Sequence, residues 1–421
     1  MQCKEKLSFD DLKKIFKKES KCKQLLGLEY ERLPVDKNSK EAISYYGDNG
    51  ICEILKEFAK TENWDYILDE NEIIGLKKIH DTITLEPGAQ IELSLEPQKN
   101  VRDIKNKIDD INTGLKSVFD KYRIELLNYG IFPETTYKNI KLIPKKRYNY
   151  MMKYLWGILS DVMMRETAGI QIGVDYSDEN DGIKKFNLAN KLSPFMTAMC
   201  SNSKIRGGVD TGYKSFRALA WLNTDNERCG FATKFKPGMT FDNYIKTLLE
   251  VPMIYIVRDG KYINIDGKIN FKNFMQSGYN GYYPNIKDFE LHANMFFPEV
   301  RLRNYIEIRN HDCIGEKYIY SLLSFYKGIF YNPDAMKETE ELLKKFSYND
   351  IAEFRYNAPR FGLDTKIKGY VIKDITKELL KIGENSLKLN NDEDVEFIYP
   401  IIELNSKNLT PADINICVTN R

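Results

Sequence analysis

Between Thr82 and Pro97 the chain reads TITLEPGAQIELSLEP, and Glu86, Gln90, Glu92 and Glu96 within it are side-chain types that bind cations or hold polar substrates. Alternate side chains on a strand face opposite ways, so Gln90 and Glu92 share a face backed by Ile91 and Leu93. The run LLGLEYERL, residues 25–33, sets Glu29 and Glu31 two apart in the same manner. Like charges that close repel unless a divalent metal, a pair of Lys or Arg residues, or solvent lies against them.

Three further stretches repeat the arrangement. In TAGIQIGVDY, residues 167–176, Gln171 is in phase with Gly169, Gly173 and Asp175. Glycines interleaved in a strand imply close approach of a ligand or a second backbone. YKSFRALAW, residues 213–221, reads as a strand with Tyr213, Ser215, Arg217 and Trp221 in phase, and the loop after it carries Arg228. An inner Arg217 needs a carboxylate or phosphate partner because guanidinium is always charged. FFPEVRLRNYIEIRN, residues 296–310, alternates as one strand with Glu299, Arg301, Arg303, Tyr305, Glu307 and Arg309 on one face. Burying that face is costly unless its charges meet partners or a ligand, and a solvated outer face is the alternative. His311 and Asp312 beyond it read as loop residues.

The carboxylates Glu29, Glu31, Glu86, Glu92 and Glu307 are hard oxygen donors suited to Mg²⁺, and Arg217, Arg301 and Arg309 suit phosphate or amino-acid carboxylate. Together they describe phosphoryl transfer at a multi-metal site, where positioning and charge neutralisation supply most of the acceleration. No GxxxxGK[ST] loop, GxGxxG turn, GxSxG elbow or kinase HRD set points elsewhere.

The elements that must position these groups follow from patterning. Ser8 and FDDLKKIFKK read as an N-capped amphipathic helix. Residues 39–60 read as two helical segments broken near Gly47 to Gly50. A hairpin turning near His80 and Asp81 delivers Glu86. Apolar positions from Val101 to Phe119 predict a long helix to about Asn128, and a second from Lys146 to about Glu166. A helix from Asp178 to Cys200 precedes the loop SNSKIRGGVDTG, and VPMIYIVRDGKYINI predicts a hairpin with its turn at Asp259 and Gly260. Several helices follow from about Ile314 to Lys388. One α+β domain over residues 1–421, mainly helical from about 314, is the resulting expectation.

Composition narrows the partners. Lys and Arg number 63 against 61 acids, and a net charge of +2 gives no footprint for nucleic acid or an anionic membrane. No apolar run reaches a membrane span, and the N-terminus lacks a signal-peptide core. The 7 cysteines are scattered without a CxxC pair, which suits reduced thiols in the cytoplasm and argues against disulfide or zinc frameworks. Only 3 histidines leave little for a His-rich metal centre.

LLGLEYE, IIGLKKIHDTITLEPGAQIELSLEP, IPKKRYNYM, GIQIGVDYSDEND, TGYKSFRALAW, VPMIYIVRDGKYI and FPEVRLRNYIEIR together resemble, in order and spacing, the glutamate-cysteine ligases of plant and proteobacterial type. These belong to the glutamine-synthetase-like superfamily, and the similarity spans about residues 20–330. The resemblance implies a curved antiparallel sheet forming an open funnel, with helices packed outside. It implies that Mg-ATP phosphorylates the γ-carboxylate of L-glutamate and that the amine of L-cysteine displaces phosphate, giving γ-glutamylcysteine, the first step toward glutathione.

Carried over residue by residue, Glu29, Glu31, Glu86, Glu92 and Glu307 match metal ligands. Arg217 and Arg309 match arginines that hold glutamate and the transferring phosphoryl group. Gln171, Trp221, Arg228 and Arg301 match further substrate-site positions. Shielding the mixed anhydride from water calls for a mobile loop, assigned here to Ser201–Thr211. Two positions depart from the family. Where many members read RTCTVQVN this chain has ETAGIQIG, so Glu166 replaces an Arg and Gly173 an Asn. Those changes leave open a γ-glutamyl ligase using another amine, and a non-catalytic binding protein on the same fold is the remaining alternative.

Overall fold

The computed structural model describes residues 7–17, 23–230 and 238–414. Nine strands form the main sheet: β1 (Leu26–Asp36), β2 (Asp65–Asp69), β3 (Glu72–Lys78), β4 (Asp81–Leu85), β5 (Ile91–Gln98), β6 (Ile124–Leu127), β7 (Gly169–Val174), β8 (Val300–Leu302) and β9 (Ile306–Asp312). Their order is β8-β9-β7-β1-β5-β4-β3-β2, with β6 on the far end of β1, and every pairing is antiparallel. Strands remote in sequence become neighbours because β1 lies between β5 and β7.

Alternation decides which face is buried. Leu28 and Tyr30 on β1, Ile91, Leu93 and Leu95 on β5, Ile170 and Ile172 on β7, and Ile306 and Ile308 on β9 are buried in one apolar cluster. The helices Val101–Phe119, Glu179–Met199 and Glu316–Phe330 pack against strands β5, β9 and β7 respectively. The opposite face carries the polar residues of the same strands. The C-terminal helices Glu316–Phe330, Pro333–Leu343, Tyr348–Phe361 and Ile372–Leu389 follow the helical reading. Ser8 caps Phe9–Lys14 in a capping box with Asp11.

Several elements differ from the sequence expectation for identifiable reasons. The long helix stops at Phe119, Arg123 turns left-handed at φ 56°, and 124–127 become β6 because they pair with β1. Residues 39–50 form turns, and only Ile51–Glu62 is helical; Gly47 adopts φ 97°, and a side chain at Gly50 would collide with the Tyr45 and Tyr46 carbonyls. The helix expected over 146–166 divides into Lys146–Tyr154 and Ser160–Glu166, since Gly157 packs on the carbonyls of Asn223 and Thr224 with no room for a side chain. The segment with Arg217 is the helix Phe216–Leu222, capped by Ser215, rather than a strand. Residues 296–310 are not one strand but the β8–β9 hairpin, preceded by a short parallel pairing of Phe297–Pro298 with Cys229–Gly230. His311 and Asp312 belong to β9 and are buried.

Candidate active site

Register brings the polar residues of the sheet into rows. Thr84, Glu92 and Glu31 are successive cross-strand partners on β4, β5 and β1. Ser94, Glu29 and Gln171 line up on β5, β1 and β7. Gly27, Gly173, Glu307 and Arg301 make a third row across β1, β7, β9 and β8. Residues as far apart in the chain as Gly27 and Glu307 thus meet on one surface.

Two cavities open on this surface and share Glu29 and Gln171. The first, of about 330 Å³, is largely apolar, with Leu28, Leu95, Pro97 and Tyr305 in its walls, and among the described residues no lysine or arginine lines it. The second, of about 370 Å³, is lined by Glu29, Glu31, Glu86 and Glu92 and by Lys145, Arg147, Arg301, Arg303 and Arg309. Trp221, Met151, Met163 and Met164 complete its wall.

The acids repel one another where water is partly excluded: Glu92 is buried, and Glu29, Glu31 and Glu86 are half-buried. Glu31 accepts from the Gly169 N–H at 2.5 Å and from Gln171 Nε2 at 3.0 Å. Even so, burial first and Glu86 second push its carboxyl up to about 7. Glu29 is likewise raised to about 7 by burial and then by Glu307. Glu92 accepts from Thr84 Oγ1 at 2.8 Å, yet burial and the charges of Glu29, Glu86 and Glu31 carry it well above the usual carboxylate range. Glu86 meets Tyr148 Oη at 3.1 Å. Buried oxygen donors that destabilise each other by charge fit a hard divalent cation, which would relieve the repulsion. Among the described residues no three acidic, His or Cys side chains converge on one ion position. A divalent ion here would draw no more than one or two carboxylates from the protein, the remainder of its shell being phosphate or water, as is common for Mg²⁺.

Glu307 departs from the metal-ligand expectation. Arg301 grips it bidentately, at 2.6 and 2.9 Å, and Arg309 Nη1 reaches it at 2.8 Å. Burial alone would raise its carboxyl, but the two guanidinium groups outweigh that and hold it at about 2. Glu307 therefore fixes the two arginines in place instead of offering free oxygens. Arg309 also donates to Gln171 Oε1, while Arg301 spends its remaining nitrogen on the carbonyls of Asn294 and Phe296.

Arg217 sits behind the second cavity, in a recess of about 20 Å³ shared with Trp221 and Arg309. Its backbone is held by Asp312, which takes hydrogen bonds from Ser203 and Ser215; those hydroxyls in turn accept the amides of Arg217 and Ala218. The guanidinium lies on Gly169, where a side chain would collide with it. Here the interleaved glycines of β7 find their reason: Gly169 admits Arg217, and Gly173 lies against Gly27 and under the Tyr305 ring.

Arg228 is a correction to the expected site. It is buried, with Asp225 on Nε and the carbonyls of Met295 and Pro252 on its other nitrogens, and it lines none of these cavities. Its charge stitches loops together. The segment Ser201–Thr211 is also no free loop: it forms a two-residue-strand hairpin, with Asn202 and Ser203 on Asp312 and Arg206 on Glu166. Lys145, Arg147 and Tyr148 also line the second cavity; the signal for them is the motif IPKKRYNYM, which carries three cations before an aromatic. Burial lowers Lys145, with Glu86 opposing.

The two departures now have locations. Glu166 is fully buried and accepts two hydrogen bonds from Arg206, at 2.6 and 2.7 Å, outside the lining of either cavity. The cation absent at 166 is supplied from 206. Arg206→Ala leaves a buried, uncompensated carboxylate, and the expected cost is about 3–5 kcal/mol in denaturant unfolding. Its KM values for substrates should change less than threefold, which is the order of a contact outside the site. A selective rise in one KM would place Glu166 in contact with that substrate.

Comparison with known proteins agrees with this geometry. The family profile described as Glutamate-cysteine ligase family 2 matches residues 25–397. The chain is similar to the chloroplastic glutamate-cysteine ligase A of Oryza sativa subsp. indica, 31% identical over 394 residues that cover 92% of this chain and 79% of the relative. It is similar to the chloroplastic glutamate-cysteine ligase of Arabidopsis thaliana, 29% identical over 400 residues covering 94% and 76%. The fold resembles a glutamate-cysteine ligase from Francisella tularensis crystallised with AMP, with a TM-score of 0.57, 14% identity, and coverage of 93% of this chain and 84% of that one.

Proposed function

The chain belongs to glutamate-cysteine ligase family 2, and on that premise we propose that its two cavities carry out the ATP-dependent ligation of L-glutamate to L-cysteine. The observation that carries this reading is the gathering of four acids and five cations in the lining of one cavity. The largely apolar cavity suits adenosine, and the cation-lined one suits two amino acids. The triphosphate then passes Glu29 and Gln171, where the cavities join. Mg²⁺ held by one or two of the carboxylates Glu29, Glu31, Glu86 and Glu92 at a time would neutralise charge between the nucleotide and the incoming carboxylate.

An oxygen of the glutamate γ-carboxylate attacks the terminal phosphorus and the bond to ADP breaks, giving γ-glutamyl phosphate. The cysteine nitrogen then attacks the γ-carbonyl carbon, and inorganic phosphate leaves with the C–O bond electrons. Arg309, clamped by Glu307, stabilises the charge on the transferred group. Arg217 Nε and Trp221 Nε1 are buried donors with no acceptor among the described residues, and they suit the α-carboxylate of glutamate. Lys145 and Arg147 suit the carboxylate of the amine substrate, beside the soft surface of Met151, Met163 and Met164. Glu166 lies outside both cavities and Gly173 on the nucleotide side, so neither departure touches this second pocket. The free thiols Cys52, Cys200, Cys229 and Cys313 fit a reducing compartment, in our reading the cytoplasm. None of the described helices is long and apolar enough to cross a membrane.

Purified protein with Mg²⁺, ATP, glutamate and a panel of amines, read by ADP release and product mass, tests the proposal. Glutamate-dependent ADP with cysteine is expected; ADP with a different amine alone would change the second substrate, and none with any amine would leave a binding protein. A pH series supplies an independent check. The folded state raises Glu29 and Glu31 above their unfolded values, so it binds more protons and loses stability as pH climbs from about 4.5 through about 7. Metal-free protein should therefore melt about 5 °C lower at about pH 8 than at about pH 5, and Mg²⁺ should recover most of the difference. Equal melting temperatures at the two pH values would count against a cation site.

A further inference from the structure

We infer that Arg303 holds the β-phosphate of the nucleotide and stabilises ADP as it departs, a role separate from that of Arg309 on the transferred group. The inference rests on the reading of the two cavities as sites for adenosine and for the amino acids. Arg303 opens the turn of the β8–β9 hairpin, and that turn straddles the cavities: Arg303 lines the second, while Asn304 and Tyr305 line the first. The Arg303 guanidinium lies 5.6 Å from the centre of the Tyr305 ring. A phosphate chain leaving the first cavity for the second meets it at the boundary.

The three arginines of the hairpin differ in what they have left to offer a ligand. Arg301 spends its guanidinium on Glu307 and on the carbonyls of Asn294 and Phe296, and its side chain is 8% exposed. Arg309 is held by Glu307 and Gln171, with 13% exposure. The Arg303 side chain is 34% exposed, and Glu307 stands 3.8 Å from its Nη1. Its hydrogen bond among the described residues is one neutral contact, from Nη2 to Asn294 Oδ1 at 3.0 Å. One carboxylate among three guanidinium groups leaves a local excess of positive charge, and Arg303 is the member least engaged.

The backbone beneath this side chain is fixed nonetheless. The Arg303 amide donates to the Tyr305 carbonyl at 2.9 Å, Tyr176 Oη donates to the Arg303 carbonyl at 2.7 Å, and the Tyr305 ring rests on Gly173. A half-exposed guanidinium on a pinned turn is positioned in advance, so little order is lost when it takes an anion. The remaining cations of the second cavity, Lys145 and Arg147, lie by Tyr148, whose hydroxyl donates to Glu86; neither Tyr148 nor Glu86 lines the first cavity.

The chemistry gives that position a task. As the γ-carboxylate oxygen of glutamate bonds to the γ-phosphorus, the bond from that phosphorus to the β,γ-bridging oxygen breaks, and its electron pair stays on the bridging oxygen. Negative charge grows on the β-phosphate while the phosphoryl group passes to Arg309. A guanidinium at the cavity boundary meets that charge where it develops.

Titration calorimetry with AMP and with ADP at fixed Mg²⁺ separates the phosphates, because ADP has the β group and AMP lacks it. Arg303→Met should lose about thirtyfold in ADP affinity and less than about twofold in AMP affinity. In the same variant kcat/KM for ATP should fall by a similar factor, with KM for glutamate within about threefold of wild type. Arg303→Lys, which keeps the charge, should recover most of the ADP affinity. A merely structural Arg303 would weaken both nucleotides together, and equal losses for AMP and ADP, or no loss for ADP, overturn the inference. Should Arg303→Met not fold, Arg303→Gln decides alone by the same ratio. Wild-type protein that prefers ADP through Arg303 but releases no glutamate-dependent ADP would overturn the ligation and leave the Arg303 assignment standing. Wild-type protein that binds neither nucleotide would overturn both.

Discussion

Glu31→Gln is expected to lower kcat by about 10³-fold while raising the melting temperature of the metal-free protein by about 3 °C. Glu31 is half-buried between the Gly169 amide and Gln171, and it pairs in register with Glu92 across the strand pair. An amide oxygen keeps the bond from the Gly169 N–H and removes the repulsion, so the fold relaxes. It also removes the negative charge that a divalent cation needs, so catalysis suffers. The two changes have opposite signs because the site stores unfavourable charge that only its ligand neutralises. Differential scanning calorimetry beside steady-state ADP release measures both. A variant that melts lower and keeps its rate would show that Glu31 is an ordinary buried carboxylate.

Arg309→Lys should cost about 10³-fold in kcat with KM values changed far less. Nη1 of Arg309 donates to both Gln171 and Glu307, and the side chain lines both the main cavity and the recess. Lysine retains the charge but is a point donor that cannot hold two partners and also present a face to a phosphoryl group. Glu307 keeps Arg301 in the variant, so no buried acid is left alone and folding should be intact. Single-turnover formation of the phosphorylated intermediate separates this step from product release. Retention of the rate within tenfold would remove Arg309 from the charge-stabilising role.

Gln171→Ala bears on the same clamp with a smaller effect. It removes a partner from both Glu31 and Arg309, and about tenfold in kcat/KM is expected where two hydrogen-bonded charges lose one neutral bridge. Steady-state kinetics at saturating Mg²⁺ measure it.

The acids and arginines were legible in the sequence because strand alternation has period two and is local. Glu29 with Glu31, Gln90 with Glu92, and Gln171 with Gly169 and Gly173 could be assigned to shared faces from their spacing alone. The chain by itself therefore determined the apolar faces, most strands of the sheet, the family motifs and the chemistry those residue types support. It could not reveal where alternation stops. The turn at Arg303–Tyr305 set Arg301 opposite Glu307, and the bulge after Ile308 turned Arg309 and Asn310 to one recess. Ser215 capped a helix where a strand pattern also fitted, because its hydroxyl found Asp312 97 residues away. Tertiary structure alone decided which acids remain unpaired, as with Glu29, and which are neutralised, as with Glu307 and Glu166. The reason is physical: a buried charge takes its meaning from partners within a few ångströms, and those partners come from strands and loops whose separation along the chain is set by the fold.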